Sequence, residues 1–214
     1  MLSFKDCTLA QLEHTFGLEQ VPSLPCLDAW VAGEASLADF ERQVVLTLQE
    51  HLQLNVHDWN ETELAYNFIG PMMTFVNYRT KQFNFFAERL FGGVVDGIEL
   101  GGKPDGMIAS GFREPKTPYF FLQEYKKDKD PEGDPAGQVL AAMLVAQELN
   151  GHQAPVYGCY VKGRDWFFLT LQGKQYAISE PYIATRAEVF DIFRILKALK
   201  PIIATLVAQG QALR

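Results

Sequence analysis

The sequence has few cysteines and no long apolar run. Its three cysteines, Cys7, Cys26 and Cys159, are an odd number without CxxC spacing, which favours reduced packing thiols over a disulfide framework or a zinc site. The longest apolar runs, AAMLVA and PIIATLVA, are far shorter than the ~20 residues that span a bilayer, and the start of the chain lacks the segments of a signal peptide. We therefore expect a soluble, cytoplasmic protein without membrane contact.

Positive charge is also scarce. The 214 residues include 19 Lys and Arg against 26 Asp and Glu, a formal net charge of −7. This balance argues against the broad basic surface that dominates non-specific nucleic-acid binding, so any contact with DNA would be local. An acidic cluster that binds a divalent cation would account for part of the negative charge, so the balance weakens a nucleic-acid-binding function without excluding it.

Several catalytic motifs are missing. The four histidines are scattered without the spacing of a metal site or catalytic dyad, and Ser110 lacks the GxSxG context of a nucleophile elbow. Neither a GxxxxGK[ST] nor a GxGxxG motif is present to bind a nucleotide. Chemistry must therefore come from carboxylates, lysines or amides.

The hydrophobic periodicity predicts an α/β fold in the order α-β-β-β-α-β-β-α, preceded by a helical extension over residues 1–59. Residues 60–214 are expected to form one compact unit with a mixed central sheet flanked by helices. In that unit Asn60 caps a helix that Pro71 kinks or divides, and Asp134 caps the helix that follows the third strand. The chain ends in one long helix, or in a pair broken before Pro201, and this helix is a possible homodimer interface.

Three polar residues lie in the predicted second and third strands. Asp105 falls in KPDGMIA, near the middle of the predicted second strand GIELGGKPDGMIASG, and Glu124 and Lys126 fall in FLQEYKK at the end of the third. Side chains two residues apart in a strand share a face, so Glu124 projects beside Lys126 while Gln123 points the other way. Pairing of the two strands would bring Asp105 close to Glu124, where two carboxylates suit Mg²⁺ or Mn²⁺. Lys126 would then orient or help to deprotonate a water, or stabilise charge on a phosphate.

This pattern resembles the PD-(D/E)XK nuclease superfamily, which has a restriction-endonuclease-like core in the order α-β-β-β-α-β. Glu124 lies nineteen positions after Asp105, and the resemblance covers roughly residues 60 to 162. It implies that Asp105 and Glu124 bind the metal and that Lys126 is catalytic. It also implies an acidic ligand on the first helix, for which we prefer Glu63 to Glu61 on helical phase, and a catalytic role for Gln138, which would contact the metal water or a neighbouring ligand.

Simpler interpretations remain open for the outer residues. Glu63 is equally consistent with an ordinary acidic residue in a first helical turn, and Gln138 with a structural amide. Lys103 and Arg113 flank the acidic strand and would contact phosphates, although isolated surface cations are more common. Two functions follow: a Mg²⁺- or Mn²⁺-dependent nuclease that hydrolyses DNA phosphodiesters, or a catalytically inactive module that binds nucleic acid or a protein on the same fold.

Overall fold

The computed structural model describes residues 1–129 and 133–212 of the chain. The helices are α1 Leu9–Phe16, α2 Pro25–Val31, α3 Asp39–Asn55, α4 Glu61–Leu64, α5 Gly70–Val76, α6 Pro135–Leu149 and α7 Val189–Ala212. The strands are β1 Leu2–Ser3, β2 Glu19–Gln20, β3 Phe83–Ala87, β4 Phe91–Val95, β5 Ile98–Gly102, β6 Gly106–Ser110, β7 Lys116–Lys126, β8 Val156–Lys162, β9 Asp165–Gln172, β10 Gln175–Ile178 and β11 Tyr182–Ile183. A 3₁₀ turn follows β1, and a π-helical turn joins α4 to α5.

The predicted α/β class with a mixed sheet, flanking helices and a long C-terminal helix is confirmed. The large sheet has the order β2-β10-β9-β8-β7-β6-β3, with β11 also paired to β9. Strands β3, β6 and β7 pair antiparallel, whereas β7 and β8 run parallel because α6 carries the chain back between them. Strand β7 therefore lies inside the sheet, in agreement with its apolar PYFFL sequence.

Helices cover both faces of the large sheet. The sheet separates the apolar interior into two clusters, one on each face. On one face, Trp30 of α2 and Phe68 of the π-helical turn pack with the buried residues of α7. On the other, α6 lies between the large sheet and a small sheet of order β1-β5-β4. Helix α6 is apolar on nearly every side because it is surrounded by protein. The N-terminal 59 residues contribute β1 to the small sheet and β2 to the large one.

The predicted second strand, GIELGGKPDGMIASG, is wrong as one element. It forms two strands in different sheets: β5 pairs with β4 in the small sheet, and β6 pairs with β3 and β7 in the large one. Pro104 lies between them, and a proline cannot donate the backbone hydrogen bond that would continue a ladder. Asp105 consequently lies immediately before β6 rather than in the middle of a strand.

The predicted N-terminal caps of α4 and α6 are confirmed. Asn60 caps α4 by accepting from the Glu63 N–H, and Asp134 caps α6 by accepting from the Gly137 N–H. The helix that contains Pro71 is interrupted by the π-helical turn Ala65–Ile69 just before the proline, whereas α7 continues through Pro201. Over residues 1–129 and 133–212, the helices all lack the combined length and apolarity needed to cross a bilayer.

Candidate active site

Asp105 is held at the point where the chain passes from the small sheet into the large one. Its Oδ2 atom accepts a 2.8 Å hydrogen bond from the backbone N–H of Tyr125, and its carbonyl oxygen accepts from the N–H of Glu88 at 3.2 Å. The last ladder pair of the two strands is Gly106 with Gln123, so Asp105 lies directly opposite Glu124. The predicted approach of Asp105 and Glu124 therefore follows from strand register.

Glu124 and Lys126 project from the end of β7 on the same face. Their side chains are only 12% and 18% exposed, and the Lys126 Nζ lies 3.8 Å from the Glu124 Oε1. The alternation of the strand produces this contact, as the sequence predicted. A carboxylate and an ammonium thus meet in a site that is largely shielded from water.

Burial controls the acidity of the two carboxyls. It raises the pKa of the Asp105 carboxyl to about 6, although the Tyr125 N–H and the Lys126 ammonium oppose the rise. Burial raises the pKa of Glu124 further, to about 8, and the nearby Asp105 carboxylate adds to the effect. The pair therefore tends to hold a proton near neutral pH, because desolvation and mutual repulsion disfavour two negative charges at this site.

Lys126 keeps its charge. Burial by itself lowers the pKa of this ammonium, but the surrounding carboxylates, Glu124 foremost, outweigh burial and raise the pKa above its ordinary value. A lysine that holds its proton this firmly is a hydrogen-bond donor and a source of positive charge, and it is a poor base. Of the roles considered for Lys126, stabilisation of negative charge on a phosphate fits best.

The acidic residue of the first helix whose carboxylate reaches this group is Glu61, and the contacts of Glu63, which we preferred, lie elsewhere. The Glu61 Oε1 lies 3.4 Å from the Lys126 Nζ. Glu63 is exposed, and its carboxylate accepts a 2.9 Å hydrogen bond from the backbone N–H of Asn60. The two residues form a reciprocal capping box, which turns Glu63 back towards the helix start and leaves Glu61 to face the site.

No protein-family model matches the chain, and no curated protein sequence matches it. The chemistry of the site must therefore be inferred from its own side chains.

Gln138 lies beside Lys126 but makes contacts away from it. It is buried in the first turns of α6, and its Nε2 donates to the carbonyl oxygen of Lys5 at 3.2 Å. A Cβ placed on Gly133 would lie 2.9 Å from this Nε2 and 3.8 Å from the Lys126 Cε, so Gly133 lies close to both side chains. The Gln138 Oε1 is buried without a hydrogen-bond partner among the described residues.

Gln123 had no role in the sequence-based prediction, yet its side chain lies at the floor of a neighbouring cavity. The cavity has a volume of about 270 Å³ and is lined by Glu61, Glu88 and Asp105 as well as by Tyr125. Gln123 is completely buried, and both of its amide atoms lack partners within the described part of the chain. A polar residue inside the apolar run PYFFLQEY is the sequence signal that could have identified it.

The site combines three carboxylates with one ammonium. Glu61, Asp105 and Glu124 all act on the charge of Lys126, so a single cation faces three acids. Oxygen donors with excess negative charge and partial burial suit a hard divalent cation. Residues 1–129 and 133–212 do not contain a ready-made cluster of three His, Cys, Asp or Glu side chains, and Lys126 itself contacts both Glu61 and Glu124. Asp105 and Glu124 are the pair best placed to share an ion.

Proposed function

We propose that this protein is a divalent-metal-dependent nuclease that hydrolyses DNA phosphodiester bonds. The observation that carries the proposal is the opposition of two buried carboxylates, Asp105 and Glu124, with the Lys126 ammonium beside them. Their raised pKa values reflect repulsion and desolvation that a cation would relieve. Carboxyl groups with pKa values raised in this way are concentrated at functional sites.

The order of elements around the site supports a restriction-endonuclease-like core. A helix formed by α4 and α5 precedes three antiparallel strands, β3, β6 and β7, and then α6 and the parallel strand β8. In this proposal the β4–β5 hairpin is an insertion between the first and second core strands. Asp105 and the Glu124–Lys126 pair then occupy the positions of the PD and ExK residues.

Each residue of the site has a distinct role in this proposal. Asp105 and Glu124 would hold Mg²⁺ or Mn²⁺, and Glu61 would supply a further oxygen at the rim. The ion, when bound, would polarise the phosphate and lower the pKa of a water. Lys126 donates its N–H groups to the phosphate oxygens as negative charge develops on them. Gln138 is anchored by its bond to the Lys5 carbonyl, and its Oε1, unpaired among the described residues, would contact a metal-bound water or a neighbouring ligand.

A cleavage assay tests the proposal. Purified protein is incubated with supercoiled plasmid, linear duplex and single-stranded DNA in Mn²⁺, in Mg²⁺ or in EDTA. We expect metal-dependent cleavage by the wild type and a loss of about 100-fold or more in Lys126→Ala. Lys127→Ala, which removes the next lysine along the chain, is the matched control and should retain activity. Inert wild-type protein on every substrate, or undiminished activity in Lys126→Ala, would overturn the proposal.

The second candidate is a catalytically inactive module on the same fold. The contacts of Lys126 with both Glu61 and Glu124 favour it, because they balance part of the charge without an ion. Calorimetry distinguishes the two functions: a module of this kind would bind no Mn²⁺, or would bind it equally well after Asp105→Asn.

A further inference from the structure

A long groove runs beside the acidic site and has a different chemical character. Its volume is about 850 Å³, and it is bordered by α5, β3 and the turn after β6. Three exposed arginines line it, Arg79, Arg89 and Arg113, and none of the described residues along its walls is acidic. In a chain with a net charge of −7, this is a local concentration of positive charge.

Exposed aromatic rings lie among these arginines. Tyr66 is 78% exposed and Phe112 is 51% exposed, although large aromatic side chains are usually buried. The Arg79 guanidinium lies over the Phe112 ring at 5.9 Å from its centroid, and Phe75 packs edge-on against Phe40. Ion pairing does not occupy Arg79, Arg89 or Arg113 within residues 1–129 and 133–212. The groove therefore offers exposed arginines and exposed aromatic rings together.

The groove adjoins the cavity next to Asp105. Tyr66, Met73 and Phe85 line both spaces, so a ligand lying along the groove would come close to Glu61 and Asp105. The walls change from three arginines in the groove to the carboxylates of Glu61, Glu88 and Asp105 in the cavity. A polyanion would be attracted by the arginines, so its phosphates would lie along the groove and its end would lie beside the acidic cavity.

We infer that this groove, defined by Tyr66, Arg79, Arg89, Phe112 and Arg113, binds single-stranded DNA and leads it to the carboxylate site, an inference that rests on the proposed nuclease function. Arginines bind phosphates, and exposed rings stack on bases. Bases in a duplex already stack on one another and cannot lie on protein rings, so exposed rings select single strands. Tyr66, at the junction, would stack on the nucleotide nearest the site.

Binding of fluorescein-labelled oligothymidylate, followed by fluorescence anisotropy in EDTA, tests the inference without cleavage of the probe. We expect Phe112→Ala and Tyr66→Ala each to weaken binding by about tenfold, within the range for loss of one base stack. The double variant Arg79→Ala/Arg113→Ala should lower the slope of log Kd against log salt by about 0.7 for each arginine. Arg164→Ala removes one exposed arginine outside the groove and is the control for loss of a positive charge elsewhere on the surface.

The possible results test DNA binding by the groove separately from DNA cleavage at the carboxylate site. Groove-dependent binding that is stronger for the single strand than for the duplex supports the inference, even if the protein proves unable to cleave DNA. The inference is overturned if the protein does not bind the oligonucleotide, if the groove variants bind like Arg164→Ala, or if duplex binds as well as single strand. If metal-dependent cleavage requires Lys126 but is unchanged in all groove variants, the proposed nuclease function holds and the proposed role of the groove in binding DNA is overturned. Thermal unfolding of each variant verifies that the exposed substitutions preserve the fold.

Discussion

Asp105 and Tyr125 are joined by a 2.8 Å hydrogen bond from the Tyr125 backbone N–H to the Asp105 Oδ2. This bond fixes the Asp105 carboxylate at the end of β7, opposite Glu124, before any ligand arrives. A preorganised carboxylate binds a cation without the cost of ordering a flexible side chain. The contact therefore has direct consequences for metal affinity.

Asp105→Asn should weaken Mn²⁺ binding by about 100-fold or more, because the substitution removes a charged ligand but keeps an oxygen that can accept from the Tyr125 N–H. Isothermal titration calorimetry at pH 8 measures the effect. Glu99→Gln removes an exposed carboxylate of the small sheet and should bind Mn²⁺ as the wild type does. Equal affinities for the wild type and Asp105→Asn would remove Asp105 from the metal site.

Glu61→Gln should lower cleavage, whereas Glu63→Gln should affect mainly stability. Glu61 contacts Lys126, so Glu61→Gln should lower metal-dependent cleavage by about tenfold with little loss of stability. Glu63 belongs to the capping box, so Glu63→Gln should retain cleavage and cost at most about 1 kcal/mol of unfolding free energy. Paired cleavage assays and urea unfolding of the two variants measure both. If Glu63→Gln instead lost activity and Glu61→Gln retained it, the choice of Glu63 on helical phase would be restored.

Stability should fall as pH rises through the window set by Glu124. The raised pKa means that the folded protein holds a proton on Glu124 between about pH 4.5 and about pH 8, where the unfolded chain has released it. The stabilisation is therefore complete below the lower value and is lost as pH approaches the upper one. A difference of one pH unit between the folded and unfolded pKa values corresponds to about 1.4 kcal/mol, so we expect the wild type to lose a few kcal/mol relative to Glu124→Gln across this window.

Urea unfolding at pH 5.5, 7 and 8.5 in EDTA measures this difference, with Glu180→Gln as an exposed control. Saturating Mn²⁺ at pH 8.5 should raise the stability of the wild type and leave that of Glu124→Gln nearly unchanged, because a ligand that binds only the folded state stabilises it. If the unfolding free energies of the wild type and Glu124→Gln changed in parallel with pH, the prediction would be contradicted, because burial would then not destabilise the charged form of Glu124.

The grouping of Asp105, Glu124 and Lys126 could be predicted from the sequence because it depends on local strand geometry. Strand alternation places Glu124 beside Lys126, and pairing of neighbouring strands places Asp105 opposite them. The boundaries of α6 likewise follow from Asp134 and Pro135. These relationships need only the period of a strand and the chemistry of a helix terminus.

The contact of Glu61, the small sheet and the arginine groove were not predicted from the sequence. They depend on tertiary contacts or, for Glu61, on a sequence pattern that we interpreted wrongly. Asn60 and Glu63 carry the spacing of a capping box, and this signal should have assigned the capping role to Glu63 and the site to Glu61. The small sheet that contains β4 and β5 depends on pairing of β5 with β1, which lies at the start of the sequence and far from β5 along the chain. No local pattern shows that Arg79, Arg89 and Arg113 converge on one groove, because three separate segments form it.

A crystal of the protein saturated with Mn²⁺ at pH 8 tests the central claim most directly, through anomalous scattering at the manganese edge. We predict a manganese peak coordinated by carboxylate oxygens of both Asp105 and Glu124, with the Lys126 ammonium beside it. An ordered crystal of the same protein that shows these two side chains without manganese between them would contradict the account.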